Sequence, residues 1–465
     1  MIAAELLTSA PVQEFIQNAI KKKMDVLQIS TALNKAGYSN EDRVAIMDYM
    51  ALVPKFREKF FGKDAGKNAA KGCSGKIDAD KNSAEVFLLC DKLALEQSTA
   101  QDIGRWKSNL WPSGKAAYGK SVHDLCCGMG GDSFFLPGEL NVIGVDLDEA
   151  RLAMYSYNMQ VVRENCAGTI LGDVREIARN NSSEEKNYAD YFTIDPARRA
   201  VDGENQRDLR NLTPTFEEVL EISKHYKGGM AKLPPGYPTA EIPQNAELIY
   251  IGSHSDCREL LVLFGELAAN PGKVRAVMVD KIGNTVNAGD GSINSNNRKP
   301  AEWFSTLAEI QAASNKDAEH DLPGCERSFR NATSESDLPV GSISRYLAEP
   351  TAVLIRSHLF GTAALTVTPD AHLISEGIAY VASDVLLPTP GFASFEVMES
   401  CEIATGAVRE MLKKHGIGKL TLKLRGVKVD PDEEIKRLKP KGKNEAVLFY
   451  TRVAGEKTAI LAKRV

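Results

Sequence analysis

The chain has 465 residues, more than one ordinary hydrophobic core accommodates, so two to four domains are expected. Its composition, 43% hydrophobic and 26% charged, is that of a water-soluble globular protein, and a formal net charge of −5 excludes a chain that is basic throughout, so any nucleic-acid contact must be a local patch. The eight cysteines include no Cys-x-x-Cys pair, the seven histidines no His-x-x-x-His, and no stretch approaches the ~20 apolar residues of a membrane span; a reduced, cytoplasmic protein without a metal site is expected.

Taken in order, residues 1–62 read as helical. Val12, Phe15, Ile16 and Ile20 make one apolar stripe that ends at Lys21-Lys22-Lys23. Met24 to Ala36 and Glu41 to Leu52 follow as shorter helices, with Gly37 suited to a C-cap and Asn40 to an N-cap. The lysine run is either a solvated helix end or a phosphate contact. Residues 63–83, rich in Gly, Lys, Ala, Asp and Asn, read as a linker. From Ala84 a helix is expected, with Val86, Phe87, Leu88, Leu89 and Leu93 on its apolar face. It leads into Glu96-Gln97-Ser98-Thr99, where Ser98 or Thr99 caps a helix or, with Gln97, borders a site.

The stretch from Ser121 to Asp148 carries the strongest pattern. An apolar run ends in Asp124-Leu125, and Cys126-Cys127-Gly128-Met129-Gly130-Gly131 then packs small residues into a turn before Phe134-Phe135-Leu136. Glycines there allow positive φ and a close approach of ligand to backbone. A helix is expected after the turn, its first N–H groups suited to a polar ligand. A second apolar run, Asn141 to Val145, ends in Asp146, about 20 residues after the first turn, where an acid grips a ribose hydroxyl. Two more runs close on acids: Gly168 to Gly172 before Asp173, placed for an adenine amino group, and Tyr191 to Ile194 before Asp195-Pro196-Ala197-Arg198-Arg199. Ser133 stands where a dinucleotide fingerprint has its third glycine, which speaks against a nicotinamide or flavin cofactor.

With four acids each closing an apolar run, the chain resembles the class I S-adenosylmethionine-dependent methyltransferases over roughly residues 85–285. Asp-Pro-Ala-Arg-Arg, with Glu96-Gln97-Ser98-Thr99 before it, is similar to the bacterial members that carry a C-terminal THUMP-like domain. The resemblance implies an α/β fold: a Rossmann-like core with a mainly parallel sheet and helices on both faces, an N-terminal helical region, and a C-terminal α+β THUMP-like domain. It implies S-adenosylmethionine as cofactor, held by Gln97, Thr99, Asp124, Cys126, Gly128, Gly130, Asp132, Asp146, Leu147, Asp173 and Val174. It places catalysis at Asp195, Pro196, Arg198 and Arg199. Related amino-group methyltransferases end the fourth strand in Asp/Asn-Pro-Pro-aromatic. Here Asp195 and Pro196 match while Ala197 and Arg198 depart, which leaves the acceptor atom open. Arg198 and Arg199 stack on a base, bind phosphate, or pair with Asp202, Glu204 or Asp208.

Thr215 to Tyr226 reads as a helix and Met230 to Leu233 as the fifth strand, its Lys232 facing phosphate or capping the strand edge. Ala246 to Gly252 and Lys273 to Asp280 read as further strands around an amphipathic helix over Arg258 to Ala269, bounding a methyltransferase domain at 84–285. Residues 286–385 are expected to form a connecting region or small ferredoxin-like domain, with polar insertions over 284–298 and 315–342. Its Tyr346-Leu347-Ala348-Glu349-Pro350 and Ile355-Arg356 resemble the family's pattern; Arg356 reaches a phosphate, a cofactor carboxylate or an ion-pair partner.

From 386 to 465 the THUMP-like unit is expected: a strand near Phe395, helices over Gly406–His415 and from Pro431, a strand over Lys419–Leu424, and a closing hairpin. Basic residues gather there, among them Lys413, Lys414, Lys423, Arg425, Lys463 and Arg464. The expected activity is methyl transfer to RNA, a base amino group favoured, with the RNA held through this basic domain and neither membrane nor metal involved. A small molecule or protein as acceptor, or a non-catalytic RNA-binding protein of the same fold, are the alternatives.

Overall fold

The computed structural model describes residues 3–61, 88–163, 166–181, 188–198, 209–253, 255–279, 302–306, 338–387 and 391–465. Two compact units divide the chain. The first comprises Met1–Leu233, Leu261–Ala269 and Val279–Asn284; the second comprises Pro234–Leu260, Asn270–Met278 and Thr285–Val465. The linker expected at 63–83 and the polar insertions, apart from residues 338–342, lie outside the described residues.

Unit one opens with α1 (Ala3–Thr8), α2 (Ala10–Lys21), α3 (Val26–Lys35) and α4 (Asn40–Phe61). Val12 and Ile16 of the expected stripe are buried together with Ala19, and α3 starts on a capping box of Asp25 and Gln28. The next helix is shorter than the apolar run suggests: α5 covers Lys92–Gln97, N-capped by Asp91, and Leu88 to Asp91 are not helical. The reason is tertiary. The Asn158 carboxamide accepts from Leu89 N (2.6 Å) and donates to Leu89 O (2.8 Å), so the backbone bonds to a side chain in place of a helical turn.

After α6 (Gln101–Ser108) come the strands β1 (Ser121–Leu125), β2 (Asn141–Asp146), β3 (Cys166–Leu171) and β4 (Tyr191–Ile194). Two-residue strands β5 (Ala197–Arg198) and β6 (Leu212–Thr213) pair with each other, and β7 (Gly228–Leu233) follows. Within the sheet the order is β3-β2-β1-β4-β7, every neighbouring pair parallel. The sequence of strands reverses between β1 and β4, the place where open α/β sheets leave a crevice for ligands. The crossover helices α7 (Glu149–Val162), α8 (Val174–Arg179) and α9 (Phe216–Ser223) each start on a polar cap: Asp148, Asp173, and Thr215 with Glu218.

One expectation fails here. The glycine turn is followed by a single 3-10 turn, Ser133–Phe135, and not by a helix. Pro137 forces Leu136 out of helical geometry, and Phe134 and Phe135 are buried. Helix-terminal N–H groups are therefore not what the turn presents.

Two buried polar arrangements hold this loop. Arg163, 1% exposed at the end of α7, donates to the carbonyls of Ser133 (3.1 Å), Leu136 (2.5 Å), Pro137 (2.8 Å) and Leu140 (3.1 Å). Ser133 Oγ donates to Asp124 Oδ2 at 2.5 Å and lies 3.1 Å from the Tyr155 hydroxyl. Burial foremost, and then the carboxylates of Asp132, Asp195 and Asp146, push the Asp124 carboxyl well above the usual range, against the lowering hydrogen bond from Ser133.

In unit two, β8 (Glu247–Gly252) and β10 (Lys273–Met278) pair in parallel, and β11 (Glu302–Thr306) adds to β10 antiparallel. The expected helix over Arg258–Ala269 is instead the strand β9 (Cys257–Gly265). Six successive residues, Glu259 to Phe264, are buried. A helix would turn some of them to solvent, whereas a strand covered on both faces buries them all.

The remaining strands of unit two form a seven-stranded sheet. They are β12 (Tyr346–Pro350), β13 (His372–Leu373), β14 (Val381–Ser383), β15 (Phe392–Glu402), β16 (Ile417–Leu424), β17 (Asn444–Val453) and β18 (Glu456–Arg464), in the order β13-β14-β12-β15-β18-β17-β16. Strands β16 and β17 are parallel, β17 and β18 form the expected antiparallel hairpin, and β12 joins β15 directly. Helices α10 (Ala352–Arg356) and α11 (Phe360–Leu365) follow β12; α12 (Thr405–Lys414) and α13 (Pro431–Leu438) lie between the later strands. One core sets Val408, Met411 and Leu438 against Leu448, Tyr450 and Leu461; a second sets Ile374, Ile378 and Tyr380 against Phe395, Phe449 and Ile460. Alternate residues of β17 and β18 thus feed opposite faces. No helix among the described residues is long and apolar enough to cross a membrane.

Replacing Arg163 by Met leaves four carbonyls without their donor and is expected to lower stability by about 3 kcal/mol or more; a thermal-unfolding shift equivalent to under about 1 kcal/mol would show the clamp to be dispensable. For Asp124 the folded-state pKa lies above the unfolded one. Its contribution is therefore most favourable below about 3.9 and is lost as pH rises toward the folded value. Asp124→Asn removes that titration, so its stability relative to the wild type should rise as pH increases from about 4. A difference that stays constant as pH rises counts against the raised pKa.

Candidate active site

Parallel register brings the carboxyl ends of β3, β2, β1, β4 and β7 to one edge of the sheet in unit one. Residues distant in sequence therefore stand in spatial order: Asp173, Asp146, the glycine turn after β1, Asp195 and Lys232.

In the turn, Cys126, Gly128 and Gly130 have φ of 60°, 54° and 94°. Cys126 pays for a conformation that favours glycine, and neighbouring bonds hold it there: Cys127 N donates to Val145 O (3.1 Å) and Gly128 N to Asp146 Oδ2 (3.0 Å). The other Asp146 oxygen accepts from Asp148 N at 3.1 Å. One carboxylate thus ties the turn to the start of α7. Its side is open at Gly128, where an added Cβ would meet only Arg151 Nη1 at 3.7 Å. It is closed at Gly131, where a Cβ would come within 2.8 Å of Ser98 Cβ, so the small residue lets the 98–99 segment pack on the turn. Burial, then the surrounding carboxylates, push the Cys126 thiol far up, which keeps it neutral.

Beside the turn lies a cluster of charges. Asp132 Oδ1 accepts from Lys107 Nζ (2.5 Å) and Thr99 Oγ1 (2.7 Å), and Asp132 Oδ2 lies 3.5 Å from Lys232 Nζ. The same ammonium is 2.5 Å from Asp195 Oδ2 and 3.4 Å from Thr99 Oγ1. Burial works against the Asp132 carboxylate, but the Lys107 and Lys232 charges outweigh it and hold the group well below the usual range. Both lysine side chains are largely buried, and Asp195 remains 37% exposed, at the open end of the cluster.

The other residues singled out from the sequence take varied positions. Leu147 is 68% exposed beside Asp146, an apolar side chain facing solvent. Val174 is buried, so its side chain packs inward. Asp173 accepts from Arg175 N (2.9 Å) and from the Arg175 guanidinium (2.5 Å), which also reaches Glu218 (2.8 Å); hydrogen bonds from Arg175 hold Asp173 below the usual range. Asp124 is buried beneath the turn, its carboxyl engaged by Ser133. Pro196 is buried and leads into β5. The side chains of Gln97 and Arg198, all of Arg199, and its suggested partners Asp202, Glu204 and Asp208 lie outside the described residues. Thr99 donates to Asp132, and α6 has Ala100 at its N-cap.

Nothing in the sequence marks Lys107 as a site residue, since it is 25 positions from the acid it pairs with, and Lys232 meets carboxylates and not the phosphate or strand edge that the sequence suggests. Ser133 and Tyr155 also went unnoticed as partners of Asp124; the one signal was Ser133 standing in a glycine's place. Among the described residues no group of three or more His, Cys, Asp or Glu is placed to hold a metal ion.

A family model described as THUMP domain-like matches residues 392–464. Two uncharacterised S-adenosylmethionine-dependent methyltransferases, from two strains of Mycobacterium tuberculosis, are each 23% identical over 370 residues, covering 77% of this chain and 83% of theirs. The crystal structure of a protein assigned as a methyltransferase from Porphyromonas gingivalis W83 superposes with a TM-score of 0.62 over 92% of both chains at 19% identity, a likeness of fold. Strand order, the Asp146-anchored glycine turn and these similarities converge: the chain is similar to S-adenosylmethionine-dependent methyltransferases, has the fold of a solved methyltransferase, and ends in a THUMP-like domain.

Proposed function

We propose that the protein transfers a methyl group to RNA, with an amino group of a base as acceptor. The observation that carries this reading is the Asp195–Lys232–Asp132 chain standing at the reversal of strand order, next to a turn anchored by Asp146. The catalytic domain is taken as residues 84–285, the connecting region as 286–385 and the RNA-holding domain as 386–465.

The residues present suit the donor. Asp146 has its carboxylate at a strand tip for ribose hydroxyls, Leu147 offers exposed apolar surface to a purine, and the side of the turn at Gly128 is open to a close backbone approach. Asp173 lies at the next strand end for an adenine amino group, and Asp132 with Thr99 borders the far side of the turn. S-adenosylmethionine supplies an electrophilic methyl on a sulfonium sulfur. Asp195 and the Pro196 carbonyl accept the N–H groups of the target amine, which turns the nitrogen lone pair toward the methyl. Lys232 fixes the orientation of Asp195, and Asp132, held by Lys107, fixes Lys232. No strong base is required, because the acceptor's proton leaves late. The THUMP domain-like match and the cations of the C-terminal strands support RNA as the acceptor.

Calorimetry should give micromolar S-adenosylmethionine affinity for the wild type and a loss of about tenfold or more for Asp146→Ala; absence of binding by the wild type would falsify the donor. Lys232→Met should lower methyl transfer roughly 10- to 100-fold with donor affinity nearly unchanged. An equal loss in donor binding would put Lys232 on the donor side instead. RNA affinity should fall steeply with salt through released counterions, and a flat salt response would point to an uncharged acceptor.

A further inference from the structure

Unit two contains a cavity of about 760 Å³ that the methyl-transfer site does not use. It lies against the seven-stranded sheet, bounded by β12, β15, β16, β17 and the end of β18, with α10 along one side. Its lining is cationic: Arg356, Lys423, Arg425 and Arg464 stand against two acids, Glu349 and Glu445, an excess of two positive charges.

These charges divide by their partners. Glu349 holds Lys423 in a short ion pair and Arg425 at 3.3 Å, and Glu445 pairs with Lys419 at 2.9 Å. Arg356 and Arg464 have no carboxylate partner among the described residues, so the positive excess rests on these two; Lys463 lies on the opposite face of β18, with Ala459 and Leu461. The charge of Arg356 is felt nearby: burial, and then that charge, push the His358 imidazole down to about 4, which keeps it neutral. Isolated cations on a convex surface need no partner, but two that line one concavity repel one another unless an anion joins them.

A second observation is independent of charge. Thr351, 5% exposed, lines the same cavity, and its Oγ1 is buried without a hydrogen-bond partner. It stands at the N-cap of α10, where a threonine hydroxyl ordinarily accepts from the helix backbone, yet it makes no such bond. A buried hydroxyl left unpaired costs stability unless something else supplies its partner.

We infer that this cavity binds a phosphate monoester carried by a nucleotide, with Arg356 and Arg464 facing the dianion and Thr351 donating its hydroxyl to a phosphate oxygen. A monoester carries about two negative charges at pH 7, against one for each internal phosphodiester, and so matches the unpaired charge better. The phosphate comes either from a free nucleotide or from the phosphorylated 5′ end of an RNA strand. The inference deepens the reading of unit two as the RNA-holding part, and rests on that reading only for the second source.

The test uses the full chain, a fluorescent 10-nucleotide RNA with a 5′-phosphate, the same RNA with a 5′-hydroxyl, and AMP as competitor. The 5′-phosphate should strengthen binding about tenfold or more, and Arg356→Gln with Arg464→Gln should abolish that difference. Thr351→Val removes an unpaired hydroxyl, so it should leave thermal stability unchanged or raised while weakening the phosphate-dependent part about tenfold. A phosphate effect equal in wild type and both variants overturns the site, as does failure of both 5′-phosphorylated RNA and AMP to bind. AMP binding that is lost in the variants, with no RNA binding, supports the site and overturns the RNA reading instead.

Discussion

A parallel sheet that collects carboxylates along one edge must supply cations to the same edge, or the charges oppose the fold. Asp132, Asp146, Asp173 and Asp195 all stand near the carboxyl ends of the strands in unit one, with Asp124 buried beneath them. The chain answers this in three ways. Asp124, with no cation paired to it among the described residues, has its pKa raised by burial and so tends toward the neutral acid. Asp132 is held by two largely buried lysines, and Asp173 by the guanidinium of Arg175. Asp146 is satisfied by backbone N–H groups. A buried pair of this kind contributes little net stability, because desolvation offsets attraction, but removing one member leaves an uncompensated charge. Its value lies in geometry: Lys232 lies within reach of both Asp132 and Asp195, so the two sides of the crevice are joined by one ammonium.

Steric fit sets the turn as firmly as charge does. Gly131 admits the Ser98–Thr99 segment, and Gly144 on β2 admits the Tyr155 ring, since a Cβ there would lie 2.5 Å from it. Tyr155 then reaches Ser133, and Ser133 reaches Asp124, so a ring on α7 and an acid on β1 share one hydroxyl. Arg163 closes the loop from the other end. The turn is thereby held in place by buried side chains from three other segments, the kind of support a preorganised site requires.

Unit two uses its sheet differently. The helices α12 and α13 bury one face, and the segment around Ile374, Ile378 and Tyr380 covers part of the other. What this second face leaves uncovered at the β16–β17 end is the cationic cavity. The basic residues that mark the C-terminal sequence do not act as one patch: Lys414, Lys419 and Arg437 pair with Glu399, Glu445 and Glu434, respectively. Pairing of this kind screens most of the apparent charge excess and leaves it concentrated at a few side chains.

Much of the architecture was legible in order of residues alone. Apolar runs closing on Asp146, Asp173 and Asp195 specify strands with acids at or just past their ends, because strand burial on both faces demands continuous apolar character and a polar stop, whereas Asp124 lies buried inside β1. The closing hairpin and the Pro431 helix followed from alternation and from proline's fixed φ. Sequence pattern failed where periodicity is degenerate: Leu260-Leu261-Val262-Leu263-Phe264 fits a buried helix or a buried strand equally, and the sheet decided for β9. It failed again at Ser133–Phe135, where packing of two phenylalanines and Pro137 stopped a helix from forming. The candidate site divides the same way. Local motif marked the acids and glycines, since their role depends on near neighbours in the chain. Lys107, Lys232 and Tyr155 meet their partners only because the fold brings them beside residues tens of positions away: a side chain's charge or hydrogen bond is defined by its partner, and no spacing rule names that partner in advance.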